Sequence, residues 1–160
     1  MPRAILLLAP AILPACVADS PSRPASPTGT PGTVSASVSD FADTDANRFR
    51  DTGRVFVYVF QGAAENPVPM RATGSFEFRL ERRDASVIHR WRFDAKQTAA
   101  ARANLPPGPG FVFDLSLLGR DQLQDSEAEL VTIFTPERGT PIAARSRAVI
   151  LIGPMSRPKS

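Results

Sequence analysis

Cysteine is nearly missing from this 160-residue chain, which has one, Cys16. A lone thiol cannot close an intramolecular disulfide, so the folded part must be held by a packed core. Histidine is equally scarce. His89 stands alone, which removes the multi-histidine zinc sites and leaves a Ser-His-Asp arrangement a single base to draw on. No G-x-S-x-G motif marks a nucleophilic serine. Lysine occurs only at Lys96 and Lys159, and the arginines from Arg71 to Arg92 are interleaved with Glu77, Glu81 and Asp84. No polybasic track results, and with a formal net charge of +3 the chain argues against nucleic acid as a partner. Long apolar runs are lacking too. The stretch from Ala4 to Leu13 is about half the roughly 20 residues that a bilayer core requires.

That apolar stretch has the size of a signal-peptide core, with Arg3 before it and the small residue Ala15 placed for cleavage. Leu13-Pro14-Ala15-Cys16 resembles the bacterial lipobox, although Pro14 stands where a small residue is usual. The resemblance implies cleavage between Ala15 and Cys16, a diacylglycerol group on the Cys16 thiol and an acylated new terminus. Residues 1–15 are therefore expected to be a lipoprotein signal peptide. Val17 and Ala18 follow with no acidic residue, a pattern that resembles sorting to the outer rather than the inner membrane. Residues 16–33 then run through Pro, Ser, Thr and Gly, a composition that cannot bury enough apolar surface to offset ordering entropy. They are expected to act as a tether, with one domain over 34–153 and a short tail over 154–160.

Period-two patterns dominate that domain. Arg54 to Gln61 (RVFVYVFQ) is apolar on both faces, as a central strand would be. In GSFEFRLE, Phe76, Phe78 and Leu80 alternate with Glu77, Arg79 and Glu81. SVIHRWRFD continues with Val87, His89, Trp91 and Phe93 on one side, and FVFDLSLL places Phe111, Phe113, Leu115 and Leu117 inward. Trp91 and the phenylalanines are read as core rather than as a carbohydrate-stacking face. ELVTIFT and ARSRAVILIG supply two more strands about the turn PERGTP, and Val34 to Asp40 opens the domain. An alanine-rich piece, 95–103, predicts one short helix ended by PPGPG. About seven short strands with turn signals predict an all-β fold, a single antiparallel β-sandwich, with an up-and-down β-barrel as the alternative.

FADTDANRFRDTG before an apolar strand, then GSFEFRL, WRFD and AELVTIFTPERGT, together resemble a family of uncharacterised planctomycete-like bacterial lipoproteins. The resemblance spans residues 35–153 and implies an immunoglobulin-like or transthyretin-like sandwich on a lipid anchor. It carries no activity.

One motif carries chemistry of its own. Asp43, Asp45, Asn47 and Asp51, with the Phe49 carbonyl between, occupy the first, third, fifth, ninth and seventh places of a loop resembling the calcium loops of EF-hand or dockerin type. Two places depart from that pattern: Arg48 stands where glycine makes the sharp turn, and Arg54 where a bidentate glutamate belongs. Asp40 is available from outside the loop. The other reading is a turn in which Asp and Asn accept neighbouring amides, with Arg48 and Arg50 neutralising the acids. The function expected is binding or scaffolding by a membrane-anchored envelope lipoprotein, without catalysis and with no required cofactor, calcium being the candidate ion. Its expected partners are the membrane, through Cys16, and an envelope protein or glycan. The alternatives are an envelope hydrolase using loop carboxylates and a carrier of a small apolar ligand.

Overall fold

The computed structural model describes residues 29–62, 68–120, 123, 126–146 and 148–155. The signal peptide, Ala15, Cys16, most of the tether and the last five residues lie outside them. Along the chain come β1 (Pro31–Val38), β2 (Phe49–Arg50), β3 (Thr52–Gln61), β4 (Gly74–Glu81), β5 (Val87–Phe93), α1 (Ala95–Ala100), β6 (Arg102–Leu105), β7 (Gly108–Ser116), β8 (Ser126–Pro136), β9 (Ile142–Arg145) and β10 (Ile150–Pro154). They form two antiparallel sheets. One has the order β1-β3-β7-β6; the other has β2-β10-β8-β4-β5, with β9 also on β8. One sheet curls into a half-barrel. The expected all-β class and single short helix are therefore present, and among the described residues no helix is long and apolar enough to cross a membrane.

The core sits where the inner faces of the two sheets meet. Val55, Val57 and Val59 of β3 are fully buried, as are Phe78 and Leu80 of β4. Aromatic rings knit the layers together: Phe113 of β7 lies with its ring centroid 5.0 Å from Phe78 and 4.6 Å from Phe93, and Phe111 lies 5.1 Å from Phe76. Offset and edge-on pairs at such separations add to what their buried area contributes. Trp91 packs against the same core and donates its indole N–H to the Ser116 carbonyl at 2.8 Å, tying β5 to β7.

Four sequence expectations shift. β1 begins at Pro31, so residues 31–33 of the expected tether are strand. Proline is tolerated at the first position of an edge strand, and a register irregularity follows it. The helix stops at Ala100 instead of 103. Asp94 caps it in a reciprocal box with Gln97, and Arg102 to Leu105 then pair with Gly108 to Phe111 in a hairpin. The alanine-rich piece is too short to extend against that ladder. ARSRAVILIG is two strands laid end to end on β8. At the break the Ser146 hydroxyl accepts from the Leu130 amide at 3.0 Å, standing in for a ladder partner. Last, a register irregularity between Leu80 and Glu81 turns Val87 out, 44% exposed, and buries Ile88 in place of Val87.

Candidate functional site

The 43–51 loop hangs from the junction of the sheets. β2 pairs with β10, bringing Arg50 opposite Gly153, while β3 enters the other sheet from Thr52. Asp51 is the hinge between them. Its amide donates to the Ala42 carbonyl at 2.9 Å, and its carbonyl accepts from Leu117 at 2.6 Å. Phe41 anchors the approach, buried against Gly53, where an added Cβ would come within 2.5 Å of the Phe41 ring. The loop is therefore fixed at its base by backbone pairing and by one aromatic side chain.

Within the loop, the Asp43 carboxylate accepts from the Asn47 amide at 3.2 Å and the Arg48 amide at 2.8 Å. Asp45 accepts from the Asn47 amide, 3.2 Å, and from its carboxamide N–H, 3.0 Å, while the Asn47 carboxamide oxygen accepts from the Phe49 amide at 2.8 Å. These are the backbone-directed bonds of an Asx-turn loop. Arg48 occupies the glycine place yet adopts φ 71°, and Ala46 adopts φ 63°. Both hold a left-handed conformation that costs a non-glycine residue on the order of 1 kcal/mol.

The fold brings Asp43, Asp45 and Asp51 together, with one carboxylate oxygen from each lying within 4.8 Å of the others. Asn47 sits beside them through its bonds to Asp45. Asp40 is not in the group. Asp51 is 2% exposed. Its Oδ1 accepts the hydroxyls of Thr44, 3.0 Å, and Thr52, 2.9 Å, and its Oδ2 is buried with no hydrogen-bond partner. The two threonines were not singled out by the sequence pattern, since nothing in their spacing reveals which oxygen they reach.

Charge around the loop differs from the neutralised turn. Among the described residues no ion pair joins Arg48 or Arg50 to the three aspartates, and Arg54, the twelfth residue, turns away to Asp114 at 2.7 Å. Two carboxylates at this separation repel by roughly 1 to 3 kcal/mol between the dielectric of water and that of a protein surface. The arrangement is a cluster of hard oxygens with no compensating cation, and its natural chemistry is that of a cation ligand set.

The other titratable groups are engaged differently. His89 is half-buried and packs edge-on to Trp91 at 4.6 Å; desolvation, helped by the Arg120 charge, pushes its pKa below the ordinary value. Among the described residues no hydrogen bond joins His89 to a carboxylate or hydroxyl. On β4 and β5 one acid, Glu77, receives Arg92 at 2.8 Å, Arg90 at 3.2 Å and Arg79. Burial raises the Glu77 pKa, but the arginines, Arg92 and Arg79 foremost, outweigh it and hold the carboxyl below its usual range.

Fold and loop together define a two-sheet, all-β domain with an acidic loop at the sheet junction. No family model, curated protein or solved structure compared with the chain matches it. The resemblance to bacterial envelope lipoproteins rests on the quoted sequence stretches alone.

Proposed function

We propose that the chain is a lipid-anchored protein of the bacterial cell envelope, outer membrane rather than inner, whose β-domain binds or scaffolds an envelope protein without catalysis. We read the two sheets as an immunoglobulin-like sandwich, a reading supported by their separate ladders and by the aromatic contacts filling the space between them.

The observation that carries the proposal is the polarity of the domain. Pro31, where the tether would join, pairs with Gln61 at one end of β3, and the acidic loop meets β3 at its other end, Thr52. The nine steps from Thr52 to Gln61 separate these poles by about 30 Å. On this reading a tether from Cys16 joins at the Pro31 pole, and the loop pole is the one turned from the membrane. That outer pole exposes apolar side chains: Leu118 after β7, Leu151 at the β10–β8 edge and Met155 after β10. We read these three side chains as the surface that the partner covers.

Capture from solubilised membranes with the anchored protein, followed by identification of what co-purifies, tests this. The combined change Leu118→Asp, Leu151→Lys and Met155→Lys is expected to reduce the captured partner at least about fivefold while leaving the fold intact. Capture unaffected by these changes would place binding elsewhere, and a co-purifying glycan would replace the protein partner. For the anchor, Cys16→Ser should abolish lipid labelling and release the protein from the membrane; unchanged labelling refutes the lipoprotein reading.

A further inference from the structure

We infer that Asp43, Asp45 and Asp51, with the carboxamide oxygen of Asn47, bind a calcium ion that clamps the outer-pole loop to the junction of the two sheets. The inference is independent of what the pole binds.

Two observations carry it. The first is convergence: three carboxylate oxygens lie within 4.8 Å of one another, and no lysine or arginine of the described residues is ion-paired to them. The second is Asp51 itself. Its side chain is buried, 2% exposed, one of its carboxylate oxygens belongs to the cluster, and Oδ2 has no hydrogen-bond partner. A buried anionic oxygen left unpaired is costly, and two further carboxylates beside it raise that cost. A cation bound among the three reverses both terms at once.

The donor set selects the ion. Every group offered is an oxygen, with no imidazole or thiolate for zinc or copper. The carboxamide oxygen of Asn47, which also accepts the Phe49 amide, adds an uncharged oxygen to the carboxylates. Such an irregular set suits calcium, which takes six to eight oxygens in flexible geometry and accepts waters. Magnesium demands a near-ideal octahedron and dehydrates reluctantly. Because Arg54 supplies no bidentate carboxylate at the twelfth place, affinity should fall in the weak range of extracellular modules, a dissociation constant of about 0.1 to 1 mM. At the envelope surface such a site reports external calcium, and its filling would stiffen the pole that carries Leu118 and Met155.

The test uses the whole mature chain, with calorimetric titration by calcium chloride and thermal melts in about 5 mM calcium, about 5 mM magnesium or EDTA at matched ionic strength. Calcium is expected to raise the midpoint by several degrees and to release or absorb saturable heat, with magnesium much weaker. Asp45→Asn, an exposed change that leaves packing untouched, should weaken binding at least about tenfold, and Asp51→Asn should abolish it. Two results overturn the inference. One is the absence of both midpoint shift and binding heat at about 10 mM calcium. The other is a shift equal in calcium and magnesium and undiminished in Asp45→Asn, which is charge screening alone.

Discussion

Two acidic environments in this domain are mirror images in charge. On the β4–β5 surface, one carboxylate, Glu77, is surrounded by three guanidinium groups, and its side chain is 18% exposed. In the 43–51 loop, three carboxylates converge with no guanidinium paired to them, although Arg48 and Arg50 lie within the same nine residues. The difference comes from local geometry. In the sheet, Arg79 lies two residues from Glu77 on the same face and Arg92 lies directly opposite it, so the pleat itself presents the cations. In the loop, backbone amides cap the acids, and neither Arg48 nor Arg50 is ion-paired to them. Proximity in sequence does not bring opposite charges together unless the backbone points them at one another.

The comparison can be broken most strongly at the base of the loop. Gly53→Ala would drive a Cβ into the Phe41 ring, 2.5 Å away, and is expected to cost about 2 to 3 kcal/mol, with loss of the calcium response, read by denaturant melts with and without calcium. Next, Glu77→Gln leaves three guanidinium groups on the sheet without their acid and should cost roughly 1 to 2 kcal/mol in the same measurement. By contrast, Asp45→Asn relieves repulsion, so without calcium it should leave the melt unchanged or raise it. Opposite signs from the loss of one negative charge at the two sites would establish the contrast directly.

Acid titration sharpens the same point. A carboxyl whose folded pKa is depressed contributes stability above its unfolded value, near pH 4.3, and that stability is lost as the pH falls through the folded value. Glu77 follows this rule, so a step in stability below about pH 4.3 should shrink in Glu77→Gln. His89, also depressed, by burial, takes up a proton less readily in the folded state than in the unfolded one. Stability should therefore decline first as the pH falls below about 6.5, a step removed by His89→Gln. A smaller effect is expected from Arg48→Gly, which relieves the φ 71° strain and should stabilise by about 0.5 to 1 kcal/mol while tightening calcium binding. The smallest is Arg92→Gln. With Arg79 and Arg90 still on Glu77, and Arg92 itself largely exposed, it should cost under about 0.5 kcal/mol.

Much of the architecture was legible in the alternation of side chains. Phe76, Phe78 and Leu80, and Phe111, Phe113, Leu115 and Leu117, face the core as their spacing requires. What escaped were breaks in that spacing. A one-residue irregularity exchanged Val87 for Ile88, and the Ser146 hydroxyl split one expected strand into β9 and β10. Both depend on a partner strand whose register lies far away in sequence. The loop was legible in part: alternate Asp and Asn residues signalled convergence, and Arg48 keeps the left-handed turn that glycine would have made. The pairing expected between Arg48 or Arg50 and the acids is not formed.

By itself the sequence determined composition-level and period-level properties: no disulfide, a two-fold repeat of apolar side chains, one short helix, and oxygens at every second place from Asp43. Each depends on residue chemistry or on backbone geometry within a few positions. Tertiary structure alone decided that Asp51 is buried with one oxygen unpaired, that Arg54 turns to Asp114 and not into the loop, and that the loop stands at the pole opposite Pro31. Burial and charge pairing are set by what the remainder of the chain brings alongside, and at Asp51 that means Ala42 on one side and Leu117 on the other.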